Sequence, residues 1–371
     1  MNSSFQIGKI WGIPIKLHWT FILGIIWVAI VYASISTVWR GMIYGFAGVE
    51  QADARWIYSF IFAILLFICV GLHELGHSYI ARHNGIGIRS ITLYIFGGVS
   101  AMEDIPKNPK LELIMAAIGP GVSGVLGIIC ILLYFESAVA LGGSHPFSIL
   151  LWTLGLINLI LMAFNLLPAF PMDGGRVLRA WFAEHMPYAI ATRRAAGIGK
   201  MFAILMVVLG IISLNFVLLL IAFFIYIGAS EEERATTVDI CLSGIKVRNI
   251  MSSDVRTVTP DKNLRDLTDL MFREKHRGYP VIDNGALAGI VTLDDVQRVP
   301  EDQRGTTTVG QVMSKNLYVI GPDEEASTAA KMMNERRVRR LLVIENKNLV
   351  GIVSREDLVR AMELCSERPE R

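Results

Sequence analysis

His73, Glu74 and His77 stand together as His-Glu-Leu-Gly-His inside a long apolar run. On an α-helix, residues i and i+4 share a face, so His73 and His77 can grip one metal ion. Glu74, beside them, is placed to take a proton from a water on that metal. Ionisable side chains within a membrane span are costly and usually functional. The bland alternative is a polar patch satisfied by a neighbouring helix. Cys69 falls on the same face, but a buried free cysteine is usually just small and apolar, and it is left out of the ligand set. Catalytic zinc takes three protein ligands and keeps a fourth position for water. The best third candidate is Asp173, in Asn165-Leu-Leu-Pro-Ala-Phe-Pro-Met-Asp-Gly-Gly-Arg176. Pro168, Pro171, Gly174 and Gly175 break any helix around it, and irregular backbone at membrane depth is tolerated only when buried in protein or lining a water-filled cavity. A hydrolase needs such a cavity. The competing reading is an Asp-Gly turn leaving the membrane.

The elements that must hold these residues are apolar helices. Of 371 residues, 53% are hydrophobic and 18% charged, against about 25% charged in soluble domains. The deficit lies in the first 230 residues, and from Glu231 onward the composition is that of a soluble domain. Spans are expected near Leu17–Val38, Ile57–Ala81, Leu113–Phe135, Ser148–Leu167, Ala195–Ser213 and Phe216–Gly228, although Met201 to Ile227 also reads as one long helix. Basic loops favour the cytoplasmic side. Arg82, Arg89, Lys107 and Lys110 follow the second span, and Arg176, Arg179, Arg193, Arg194 and Lys200 follow the fourth, whereas Glu136 to Pro146 has no Lys or Arg. This puts the N-terminus and the soluble C-terminal half in the cytoplasm of a multi-pass cell-membrane protein, which six spans satisfy and five do not. The net charge of +2 is too small to imply a nucleic-acid partner. The four cysteines, Cys69, Cys130, Cys241 and Cys365, lack a CxxC spacing, against a disulfide framework or a cysteine zinc site.

Between the second and third spans, Ser90 to Met102 alternates loosely around Gly97-Gly98. It reads either as a short strand or hairpin dipping toward the cleft or as a plain amphipathic connector. Hydrolysis needs extended peptide, because helical backbone hides its carbonyls in i to i−4 bonds; an edge strand could hold an unwound substrate by strand addition.

With both motifs in view, the chain resembles the site-2 protease family, of the prokaryotic kind that carries a C-terminal CBS (cystathionine-β-synthase-type) pair. That family joins HExxH in one span to N-x-x-P-x-x-P-x-D-G two spans later, and His73, Glu74, His77, Asn165, Pro168, Pro171, Asp173 and Gly174 all match. The resemblance implies one Zn2+ on His73, His77 and Asp173, Glu74 as general base, and Asn165 as a polar group steadying the tetrahedral intermediate. An amide in a span can instead simply bridge helices. Gly119-Pro120 corresponds to a family Gly-Pro and reads as close helix packing. The implied activity is cleavage of transmembrane protein substrates in the lipid bilayer.

The C-terminal half is a repeat. Val247-Arg-Asn-Ile-Met251 returns as Val309-Gly-Gln-Val-Met313, and Gly289-Ile-Val-Thr-Leu-Asp-Asp295 as Gly351-Ile-Val-Ser-Arg-Glu-Asp357, at one constant offset. Each unit reads strand, helix (Leu264–Glu274; Glu325–Glu335), strand (Tyr279–Ile282; Arg340–Ile344), turn, strand (Ala288–Val291; Val350–Val353), helix, and the pair resembles tandem CBS domains. The expected fold is therefore membrane α-helical, with about six transmembrane helices and a small β element over residues 1–230. A linker follows at 231–243, then a soluble α/β tandem module with CBS domains at 244–300 and 306–365. The resemblance implies adenine nucleotide (AMP, ADP or ATP) between the repeats, with Thr292, Asp295, Ser354 and Asp357 at the ribose and phosphate positions. Arg277, Arg337, Arg339 and Arg340 could neutralise phosphates. Such pairs also serve as dimerisation modules, which would make the chain a homodimer. Two rival functions remain: a nucleotide-gated transporter with His73, Glu74 and Asp173 as pathway residues, and a catalytically inactive membrane scaffold.

Overall fold

The structure is a computed structural model that describes residues 4–39, 41–95, 97–102, 108–346 and 348–366. Lys107, counted above among the basic loop residues, lies outside them. Two compact units divide the chain, Met1–Arg234 and Ala235–Arg371.

The first unit is built on helices α1 (Thr20–Ser34), α2 (Ala52–His83), α3 (Pro109–Leu141), α4 (Pro146–Asn165), α5 (Asp173–Ala183), α6 (Tyr188–Ile212) and α7 (Phe216–Leu242). Of these, α2, α3, α4 and α6 are each long and apolar enough to cross a membrane. The apolar α1 has 15 residues, because strands take up both ends of the expected first span. The apolar part of α7 ends at the acidic run Glu231-Glu232-Glu233. Between α6 and α7 the chain turns at Leu214, whose φ is 51°, and the Asn215 side chain accepts from Leu218 N at 3.2 Å, so Met201 to Ile227 is two helices. Beside an apolar core that includes Phe46, Phe62 and Ile149, small polar residues are buried and many large apolar ones face outward. Ser59, Ser78, Ser123, Ser148, Thr153 and Asn158 are buried, while Val139, Phe216 and Val217 on the rim are largely exposed. Such a surface is stable only against lipid. Small residues bring the spans together: a Cβ on Gly127 would lie 3.0 Å from the Gly155 carbonyl oxygen, as close backbone approach between α3 and α4 requires.

A four-stranded sheet accompanies the helices, in the order β1 (Ser4–Ile10), β2 (Ile13–His18), β5 (Ile88–Tyr94), β6 (Gly97–Met102). A separate hairpin, β3 (Thr37–Trp39) with β4 (Met42–Tyr44), follows α1. β5 and β6 form the expected hairpin over Ser90 to Met102. The β1–β2 hairpin, turning at Trp11-Gly12 with φ of 51° and 78°, is not evident from the sequence.

In the second unit each repeat gives a helix and two antiparallel strands: α8 (Leu264–Glu274), β7 (Gly278–Asp283) and β8 (Ala286–Thr292), then α9 (Leu293–Gln297). The second repeat supplies α10 (Val309–Val312), β9 (Val319–Ile320), α11 (Ala326–Glu335), β10 (Arg340–Glu345), β11 (Asn348–Ser354) and α12 (Arg355–Ser366). The repeats exchange contacts symmetrically. Gly289 lies under the Met313 sulfur and Gly351 under the Met251 sulfur, and Ile290 bridges Ser314 as Ile352 bridges Ser252. Of the expected linker, 231–243, residues 231–242 are helical as the second part of α7, and Val238 and Leu242 join the core of the second unit. Glu231-Glu232-Glu233-Arg234-Ala235 are good helix formers, although their charge reads as a linker in the sequence alone. Cys241 is disulfide-bonded, which the cysteine spacing does not suggest.

Candidate metal centre

His73 and His77 project from the C-terminal third of α2 onto one face, and Asp173 meets them as the first residue of α5. The His73 and His77 Nε2 atoms are 3.2 Å apart, and they lie 3.3 Å and 3.2 Å from Asp173 Oδ2. Tetrahedral zinc with bonds of about 2.0–2.1 Å holds its donor atoms about 3.3–3.4 Å apart, so this triangle fits that ion. Among the described residues this is the one cluster of His, Cys, Asp and Glu side chains close enough to share a metal.

The far side of each ring is also engaged. His77 Nδ1 donates to the Met115 carbonyl at 2.6 Å, and His73 Nδ1 lies 2.9 Å from Ser123 Oγ. These contacts turn both Nε2 atoms toward the Asp173 carboxylate, which is how outer partners fix a ligand's ring angle. Both come from α3, which packs on α2 through Gly119. A Cβ there would stand 2.1 Å from His77 Nε2 and 2.7 Å from His73 Nε2. The close packing expected at Gly119 is real, and what it makes room for is the pair of ligand rings.

Asp173 is delivered by the break in the chain. Leu166 to Met172 leave α4 as turns, with a cis peptide at Phe170-Pro171. Gly174 and Gly175 press against the Leu166, Leu167 and Ala169 backbone so closely that a side chain on either would collide with it. The α5 N-terminus is thereby folded back toward α2.

Glu74, next to His73 in the chain, is held against the strand β6. Ser100 Oγ donates to Glu74 Oε2 at 2.8 Å, and a Cβ on Gly98 would meet Glu74 Cγ at 2.4 Å. Both residues are on β6, the edge of its sheet among the described strands. The hairpin therefore reaches the cleft, the first of the two readings that the sequence allows. A cavity of about 530 Å³ is lined by His73, Glu74, His77, Asn165 and Asp173, and also by Glu112, Arg179 and Glu232. Asn165, on the cavity wall, donates from Nδ2 to the Leu161 carbonyl at 3.0 Å, a bond within its own helix.

In the second unit, Arg277, Thr292, Asp295, Arg337, Arg339 and Arg340 come together around a cavity of about 270 Å³. Ser354 and Asp357 are not among its walls. Burial, together with repulsion from Arg277 and Arg339, pulls the Arg340 guanidinium below its ordinary pKa, against Glu356, which pulls it up. The cavity thus carries positive charge that an anion would relieve. Asp295 accepts from Thr292 N and Oγ1 at 2.9 and 2.6 Å, and Asp357 does the same for Ser354 at 2.8 and 2.6 Å. Thr292 and Ser354 are the N-caps of α9 and α12, and Asp295 and Asp357 close their capping boxes, so all four are structural residues as well as candidate ligand contacts.

An apolar helical unit with a His-His-Asp donor set and an adjacent glutamate, continued by a twofold α/β module, defines a membrane metallopeptidase with a C-terminal α/β domain. Comparison with known proteins agrees. The profile of peptidase family M50 matches residues 61–144 and 138–210, and that of the CBS domain matches 247–302 and 309–364. A zinc metalloprotease of Methanocaldococcus jannaschii is 37% identical over 100% of this chain and 99% of its own. Rip3 of Mycobacterium tuberculosis, proposed as a zinc metalloprotease, is 30% identical over 98% of this chain and 94% of its own. Among solved structures, the site-2 protease from M. jannaschii shares 40% identity, covering 62% of this chain and 95% of its own, with a TM-score of 0.44. The chain belongs to peptidase family M50, the site-2 proteases, and carries tandem CBS domains.

Proposed function

We propose that the chain is an intramembrane zinc endopeptidase that cleaves transmembrane segments of other membrane proteins and is regulated by adenine nucleotide in its CBS pair. The observation that carries this is the donor triangle of about 3.2 Å edges beside Glu74, walled by an exposed strand edge inside a unit whose surface suits lipid. His73, His77 and Asp173 would hold the zinc, which when bound supplies Lewis-acid polarisation and brings the attacking water's pKa to about 7. Glu74 takes the proton from that water and returns it to the leaving nitrogen. Ser100 holds the Glu74 carboxylate in line, and β6 receives the unwound substrate as an added strand. Asn165 lines the same cavity as Glu74 and Asp173, where the second N–H of its amide donates to the oxygen of the reacting carbonyl. The charge asymmetry of the loops favours a cytoplasmic N-terminus and CBS pair. A transport path requires neither His at i and i+4 nor three donor atoms at zinc spacing, so the triangle favours hydrolysis.

The test is metal content and cleavage together. The purified, detergent-solubilised wild type should carry about one zinc per chain, lost in His73→Ala and Asp173→Ala. Glu74→Gln should keep the zinc and lose at least about 100-fold in cleavage of a co-reconstituted membrane substrate. Retained cleavage in Glu74→Gln, or a metal-free wild type purified without chelators, would overturn the reading.

A further inference from the structure

Glu112, Arg179 and Glu232, which also line the cavity of the metal centre, form an ion-pair cluster that the hydrolytic mechanism does not use. Arg179, on α5, is 6% exposed, as is Glu112 in the first turn of α3. Arg179 Nε donates to Glu112 Oε1 at 2.7 Å, and Nη1 donates to Glu232 Oε1 on α7 at 2.6 Å. Its guanidinium also lies 5.0 Å from the ring centres of Phe170 and Tyr188. One side chain thus joins α5 to α3, to α7, to the start of α6 and to the turn that precedes Asp173.

We propose that Arg179 is a positioning residue for the metal ligand Asp173, and that Glu232 on α7 sets its grip. This inference rests on the zinc site proposed above. Asp173 opens α5 and Arg179 follows within two turns of the same helix, so the two move as one body. Arg179 ties α5 to α3 and α7 through its two ion pairs. The carboxylate oxygen of a helical aspartate lies about 5 Å from the helix axis, so a rotation of α5 by about 10° would carry it by about 0.9 Å. Metal–ligand distances tolerate about 0.2 Å. A guanidinium shared by two carboxylates on different helices resists that rotation in both directions, which a single ion pair would not do. The α3 anchor is well chosen as well. Three turns or fewer beyond Glu112, α3 supplies the Met115 carbonyl, Gly119 and Ser123, so all three donors are indexed to one helix. Glu232 belongs to α7, which continues to Leu242 in the core of the second unit. The acidic run that ends the apolar part of α7 therefore ties neighbouring helices together. Glu232 holds Arg179, and Glu233 holds Lys200 of α6 at 2.6 Å.

The experiment is zinc competition on the full-length chain in detergent against a chelator of known affinity, for wild type, Arg179→Met, Arg179→Lys, Glu232→Gln and Lys200→Met. Arg179→Met should weaken zinc binding by at least about tenfold, the lower end for outer-shell partners, Glu232→Gln by roughly threefold to tenfold, and Arg179→Lys should recover part of the loss. Lys200→Met cuts the neighbouring α6–α7 tie and should leave zinc affinity within about twofold of wild type. Thermal unfolding of the zinc-stripped chains separates positioning from folding: Glu232→Gln should match wild type there. Zinc affinity in Arg179→Met and Glu232→Gln within twofold of a zinc-binding wild type would overturn the inference, as would an equal loss in Lys200→Met. A wild type that binds no zinc would sink the zinc site itself.

Discussion

At the scale of single residues, the centre is defined as much by what is missing from a side chain as by what is present. Gly119 and Gly121 sit two positions apart on α3, in the same apolar helix. A Cβ on Gly119 would overlap the His77 ring, while a Cβ on Gly121 would meet nothing within 4 Å. Helix propensity gains about 1 kcal/mol from either Gly→Ala change, so a difference between the two variants isolates the contact with the ligands. Gly119→Ala should lose zinc affinity by about 100-fold or more, since both rings must leave the Asp173 carboxylate. Gly121→Ala should bind zinc as wild type does and unfold at an equal or higher temperature. Isothermal titration of zinc-stripped protein checks both. His73, Glu74, His77 and Asp173 are legible in the sequence because such side chains are expensive in lipid and announce themselves by type and spacing. Ser123 and the Met115 carbonyl are not, because a serine or a backbone group in a span has no such signature until the facing helix is known.

At the scale of elements, the hairpin of β5 and β6 brings soluble-type edge chemistry to a half-buried carboxylate. β6 is short, and its side chains alternate, so that Gly98 and Ser100 turn to α2 while Val99 turns outward at 57% exposure. Ser100 is also 3.3 Å from Ser78 Oγ on α2, a second tie between strand and helix. Removing the Ser100 hydroxyl leaves the strand in place but frees the Glu74 carboxylate. Ser100→Ala should therefore lower kcat about tenfold with little change in KM or zinc content, measured by single-substrate kinetics beside metal analysis. A KM effect alone would mean that the strand binds substrate without orienting the base. The elements themselves are unevenly readable. The apolar runs of α2, α3 and α4 and the repeat offset of the second unit are plain. The β1–β2 hairpin is hidden because Ile13, Ile15 and Leu17 look like the start of the span that follows. The Glu112–Arg179–Glu232 cluster is hidden because partners on α3, α5 and α7 are far apart in sequence, and their charges count equally well as basic or acidic loop residues.

At the scale of the whole molecule, the two repeats of the second unit are alike in backbone but not in charge, and that decides where a ligand would go. The repeat offset pairs Arg277 with Arg339, Lys275 with Arg337 and Gly278 with Arg340. Arg340 thus has no counterpart side chain in the first repeat; its Nη1 reaches the Gly278 carbonyl at 3.2 Å, into the space a side chain at position 278 would fill. Arg277, Arg337, Arg339 and Arg340 consequently gather at the cavity that holds Thr292 and Asp295, while Ser354 and Asp357 lie elsewhere. A phosphate group recognises such a cluster by charge-assisted hydrogen bonds, each worth about 1.5–3 kcal/mol, or roughly tenfold to 100-fold in affinity. One adenine nucleotide per chain is therefore expected, with Arg277→Ala plus Arg339→Ala weakening it by at least about tenfold. Ser354→Ala should leave the affinity within about twofold, because its hydroxyl is already spent on the α12 cap. Equilibrium binding of ATP and of AMP to the full-length chain distinguishes the outcomes, and a triphosphate should gain more from the four guanidiniums than a monophosphate. Two nucleotides per chain, or a loss in Ser354→Ala equal to that of the arginine pair, would place the ligand in both clefts and remove the asymmetry as its cause.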